Sequence, residues 1–132
     1  MAGPSSTQLE ALMRVYETAQ RDHGGSGVCA RFLLSLYNGF RFKFDLTDLR
    51  RLDQGLFEAC LQVLCLDRLH HLEVHAQIAV LQGKPTQVLN LEFERWAHTW
   101  KVPGRCKKAE LDGLAERVKR TMAARAAEGA MA

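Results

Sequence analysis

The sequence predicts an all-α fold: a compact bundle of five to six helices with one short extended connector near residues 40–44. Three observations predict it. Apolar residues recur every three or four positions through most of the chain, which places them on one helical face. Glycine- and proline-bearing breaks at 22–27, 38–39, 83–85 and 102–104 divide these stretches into helix-sized lengths. Clear alternation of apolar and charged residues occurs at Phe40-Arg41-Phe42-Lys43-Phe44, but no convincing second strand accompanies it. A lone strand has no ladder partner, so this segment reads as a packed connector, with the phenylalanines facing one way and the cations the other.

The first helix should begin near Ser6 or Thr7, where Thr7-Gln8-Leu9-Glu10 has the form of a capping box. Leu9, Leu12, Met13, Tyr16 and Ala19 supply its apolar stripe, and three glycines among residues 24–27 end it. A second helix is expected from Ser26 or Val28 to Tyr37, stopped by Asn38-Gly39. Asp45 or Thr47 should cap a third, on Leu46, Leu49, Leu52, Leu56, Cys60, Val63 and Leu64, with a kink or break at Asp53-Gln54-Gly55. Residues 67–81 fit helix and strand equally by pattern; the helical neighbours favour helix. Thr86 is the expected cap of the next helix, whose buried face is Leu89, Phe93, Trp96, Ala97 and Trp100. A last helix should follow over about 107–124 on Leu111, Leu114, Ala115 and Val118. Residues 1–125 then make one helical domain, and 126–132 a frayed tail.

Composition sets limits on function. The 132 residues, 47% hydrophobic and 25% charged, suit one soluble domain with a real core. No run approaches the roughly 18 apolar residues of a membrane span. Met1-Ala2-Gly3-Pro4-Ser5-Ser6 lacks the basic start and apolar run of a secretory signal. Cys29, Cys60, Cys65 and Cys106 form no C-x-x-C pair, and the first three sit within apolar patterns, as buried thiols in a reducing cytoplasm would. Charge is uneven: residues 1–100 carry 10 Lys and Arg against 11 Asp and Glu, whereas residues 101–132 carry 8 against 4.

No motif points to catalysis or to a cofactor. His71 and His75 have the i,i+4 spacing of a zinc helix, but Leu72 stands where a metalloprotease has its glutamate, and a third ligand would have to come from His98, Glu92 or Cys106. The Gly24-Gly25-Ser26-Gly27 loop lacks both the dinucleotide and the P-loop patterns. There is no nucleophile elbow, and thiols in apolar runs are poor nucleophiles. Of the paired carboxylates, Asp45 with Asp48 and Glu92 with Glu94, the first pair stands where a helix start favours negative charge. No metal, small-molecule substrate or membrane partner is therefore expected. The cations Lys101, Arg105, Lys107, Lys108, Arg117, Lys119, Arg120 and Arg125 are the candidate contacts for nucleic acid. Trp96, Trp100 and the turn at Pro103-Gly104 give a loose helix–turn–helix outline, although Glu110, Asp112 and Glu116 interleave with the cations.

Residues 9–66 resemble a family of small uncharacterised domains encoded on plasmids and integrative elements of proteobacteria. The resemblance lies in Ala19-Gln20 before the Gly/Ser loop, Arg31-Phe32-Leu33-Leu34 with Asn38, and Phe44-Asp45-Leu46-Thr47-Asp48-Leu49 with Asp53 beyond; Arg50 departs from it, where an aromatic is expected. It implies a bacterial cytoplasmic setting and a mobile-element context, and it brings no catalytic residue. The expected function is a non-catalytic accessory or regulatory protein acting through a protein partner or a homodimer. Nucleic-acid binding by the basic C-terminal helix is the alternative.

Overall fold

The computed structural model describes residues 3–69 and 72–131. Among them are six α-helices and one 3-10 helix, seven helices against the five to six expected, and no strand. The α-helices are α1 (Ser6–Ala19), α2 (Ser26–Tyr37), α3 (Gln54–Leu69), α4 (Val74–Gln82), α5 (Thr86–Thr99) and α6 (Lys108–Met131); the 3-10 helix is Leu46–Arg51.

The extra helix comes from a clean break. Asp45 accepts a hydrogen bond from the Thr47 amide and starts the 3-10 turn, Leu52 is extended, and Asp53 accepts from the Leu56 amide at 2.8 Å to start α3. Each aspartate satisfies backbone donors that a new helix leaves open. The α1 cap lies two residues upstream of its expected place: Ser5 and Gln8 exchange reciprocal hydrogen bonds of 3.1 Å. Ser5-Ser6-Thr7-Gln8 satisfies the same rule as Thr7–Glu10 and lengthens the helix without burying a polar group. Pro85, not Thr86, is the residue before α5, and no side chain caps that helix. Residues 70–71, at the junction of α3 and α4, fall outside the described residues, and the segment after them is helix as favoured.

α2 is the central element. Its Cys29, Ala30, Phe32, Leu33 and Leu34 are buried, and it packs against α1, α4, α5 and the 3-10 helix. Leu12, Val15 and Tyr16 of α1, Val63 of α3, Ile78 of α4, and Leu89 and Phe93 of α5 complete one continuous core. Around Tyr16, Trp96, Phe93 and Tyr37 the aromatic rings run in contact, with centroids 4.5–5.8 Å apart. α6 stands apart. It packs on α5 through a small second cluster of Leu91, Leu111 and Val118, and residues 122–130 of the helix are exposed.

The phenylalanine-rich connector does not keep the expected alternation. The Asn38 side chain accepts from the amides of Phe40 and Arg41, and the Asn38 carbonyl accepts from Phe42. This coils the chain, so Phe42 is buried and Phe44 packs edge-on against Phe32, while Phe40 is 95% exposed. Arg41, expected to face outward, turns inward.

Candidate interaction surfaces

Arg41 reaches Glu94, a carboxylate on α5 that is 5% exposed. Its two terminal nitrogens donate to the two carboxylate oxygens at 2.8 and 2.7 Å, and its Nε donates to the Gly104 carbonyl at 3.1 Å. Tyr37 also donates to Glu94 at 2.8 Å. Burial alone would lift the Glu94 carboxyl, but the bonds from Arg41 and Tyr37 outweigh it and hold the group below the usual carboxylate range. Burial and the neighbouring carboxylate push the Tyr37 hydroxyl well above its ordinary value. This fork-to-fork pair ties the connector to α5 and to the loop after it.

The pair floors a cleft of about 500 Å³, which Cys106, Glu110, Leu114, Arg117 and Asn90 complete. Cys106 Sγ lies 3.8 Å from His98 Nε2. Burial, and then the Glu94 carboxylate, push its thiol up against the opposing pull of Arg41, which disfavours the thiolate a nucleophile needs. The sequence offered Glu94 only as half of a Glu92–Glu94 carboxylate pair and placed Arg41 outward, so it did not bring the two together. The available signal was a carboxylate one position beyond the buried Phe93, at the edge of the apolar stripe.

The cations predicted for nucleic acid divide into two groups. Lys101, Arg105 and Lys107 are exposed on the loop between α5 and α6. Lys108, Arg117, Lys119 and Arg120 are on α6, where about 100° separates successive residues. Lys108 and Lys119 therefore share a face, with Arg120 roughly 100° from Lys119 and Arg117 roughly 160° from it. Lys108 is bonded to Asp112 at 2.7 Å, and Arg117 lines the cleft. α6 does not gather its cations on one face.

His71 lies outside the described residues. His75 packs edge-on against Tyr37 at 4.9 Å and also lies against Phe93, and burial holds its pKa below the usual value. Glu92, one of its proposed co-ligands, instead accepts from Tyr16 and Gln20 at 2.5 Å. No group of three metal-type ligands occurs among the described residues. Cys29 and Cys60 are buried as expected; Cys65 is not, because it points away from the core on the exposed side of α3.

That side of α3 is apolar between Phe57 and Leu64, with the exposed Gln54 and Arg68 at its two ends. Phe57, Leu61 and Leu64 recur at i, i+4 and i+7, with Leu61 41% and Leu64 37% exposed. Where α3 begins, Phe57 joins Leu46, Leu49, Leu52, Arg50 and Gln54 around a cleft of about 330 Å³, and Leu46 is 71% exposed. The helical pattern put Leu46, Leu49, Leu52 and Leu64 on one buried stripe and did not include Phe57 or Leu61; the break at Leu52 leaves Leu46 and Leu64 uncovered.

Among the described residues no helix is long and apolar enough to cross a membrane. The Family of unknown function (DUF7673) matches residues 9–101, which takes in the whole 9–66 segment and continues through α5. No curated protein and no solved structure matches the chain.

Proposed function

The chain belongs to the DUF7673 family of unknown function, and we propose that it acts as a non-catalytic accessory protein by binding another protein. The observation that carries this reading is the apolar strip in which the exposed Leu46, Leu61 and Leu64 flank the partly buried Leu52 and Phe57. Burying a fully exposed leucine returns about 1.5–3 kcal/mol, and these partly exposed ones forfeit a share of that; a cluster of such residues marks a docking face. The partner proposed is a second copy of the chain, since one self-complementary patch suffices for a two-fold dimer. The mobile-element setting, in a bacterial cytoplasm, is part of this proposal and rests on the pattern around Phe44-Asp45-Leu46-Thr47-Asp48-Leu49. A non-catalytic role is supported by the protonated Cys106 and by a buried carboxylate fully engaged with Arg41 and Tyr37.

Light scattering on a size-exclusion column tests the proposal. A concentration-dependent mass approaching twice 14.9 kDa is expected, with Leu61→Arg/Leu64→Arg returning the protein to monomer. Both side chains are already partly solvated, so the double variant should fold. A wild-type protein that stays monomeric at every concentration would sink the self-association reading. Nucleic-acid binding along α6 has less behind it, because acids interleave with cations and Lys108 is already paired.

A further inference from the structure

Two stretches of chain some sixty residues apart meet at Arg41 and Gly104. Arg41 Nε donates to the Gly104 carbonyl at 3.1 Å, and the backbones pack so closely that a Cβ on Gly104 would stand 1.9 Å from the Arg41 carbonyl oxygen. The contact brings the Phe40–Lys43 turn beside the loop that carries Lys101, Arg105 and Lys107. From this juxtaposition we infer that the turn and the loop form a binding surface for single-stranded nucleic acid. Phe40 is the stacking platform, and Lys43, Lys101, Arg105 and Lys107 are the phosphate contacts.

Phe40 is, among the described residues, the most exposed large apolar one, at 95%, yet its backbone is firmly held. Asn38 accepts from the Phe40 and Arg41 amides at 3.2 Å, the Phe42 amide donates to the Asn38 carbonyl at 2.9 Å, and Lys43 Nζ bonds the Gly39 carbonyl at 2.7 Å. The ring is thus presented on a fixed turn, which lowers the entropy cost of docking a partner on it. An aromatic face accepts any base, and positive charge along one side follows the backbone; this combination recognises single strands without reading sequence. A duplex hides its base faces and gains nothing from Phe40.

A cation lies beside the ring. Lys43 Nζ lies 6.0 Å from the Phe40 ring centroid. Lys101, Arg105 and Lys107 are all exposed, and Arg105 spends only one nitrogen on the Val102 carbonyl. Among nearby acids, Glu94 is paired with Arg41 and Glu110 lines the cleft, while Asp45, bonded to Thr47, stays ionised and is outnumbered by the four cations. This surface is distinct from the apolar strip and independent of self-association.

Fluorescence anisotropy with a labelled oligothymidylate and with a duplex of equal length, each at low and moderate salt, tests the inference. The single strand should bind more tightly than the duplex, and Phe40→Ala should weaken it at least roughly fivefold, as expected for losing one base–aromatic stack. Lys43→Glu/Arg105→Glu should abolish binding, and Lys119→Glu/Arg120→Glu on α6 should leave it near wild type. All the altered side chains are exposed, so an unchanged melting temperature certifies each variant. Absence of single-strand binding at low salt overturns the inference. So does a Phe40→Ala protein that binds like wild type, or a duplex that binds equally well.

Discussion

Gly104 sits at φ 96°, in the region L side chains rarely adopt, directly against the Arg41 carbonyl. Both facts demand glycine, one through backbone conformation and one through space. Because the obstacle is backbone, no side-chain rotation can relieve it. Gly104→Ala should therefore destabilise the protein by about 2–4 kcal/mol, read as a lower urea midpoint at unchanged slope. It should also loosen the Arg41–Glu94 pair, whose third anchor is the Gly104 carbonyl. A midpoint equal to wild type would show that the loop after α5 is not held against the connector. By contrast, Gly55 faces only the Arg14 guanidinium, the far end of a flexible chain, and is not constrained in this way.

At the scale of elements, α6 is the least supported helix, and its own propensity matters most there. It packs through Leu111, Leu114, Ala115 and Val118 on α5, and its last turns are solvated. Gly113 lies within it, and a Cβ there would make an ordinary 3.6 Å contact with Arg117 Nη1. Gly113→Ala should stabilise the helix by about 0.5–1 kcal/mol, since alanine loses less backbone entropy. A rise of a few degrees in the calorimetric melting temperature is the expected readout, and a fall would mean that the Gly113 face is packed. Helix positions were legible in the sequence because periodicity and punctuation are local: α2 and the face of α5 on Leu89, Phe93, Trp96 and Ala97 follow directly. The break at Asp53 was legible for the same reason. The inward turn of Arg41 was not. It depends on Glu94, 53 residues away, and alternation alone assigned the cation to the outside.

For the whole molecule, the buried titratable groups set how stability responds to acid. The surfaces joining distant segments were the least legible part, since neither the Phe40 turn nor the loop at Gly104 signals the other in sequence; the groups that tie the core together share that character. His75 has a lowered folded pKa, chiefly because burial against Tyr37 and Phe93 disfavours the cation. As pH falls below its ordinary 6.5, the unfolded chain takes up a proton before the folded one does, so stability declines until pH reaches the folded value. Glu94 is also lowered, so its contribution is complete above the ordinary 4.5 and is lost as pH falls through the folded value. Acidification should therefore weaken the fold in two successive steps. Asp45, lowered by its bonds to Thr47, adds to the second, so each step needs its own variant. His75→Phe should remove the first step and leave the second. Glu94→Gln should cost about 2–4 kcal/mol near neutrality, because Arg41 is left half-buried without its counter-charge, and should flatten the second step. Urea midpoints measured from pH 7.5 to pH 3.5 separate these effects, with the range chosen to bracket the two ordinary values. A His75→Phe curve parallel to wild type between neutrality and the carboxylate range would show that His75 takes up its proton equally in both states, and the aromatic cluster around Tyr37 would then not be what keeps it neutral.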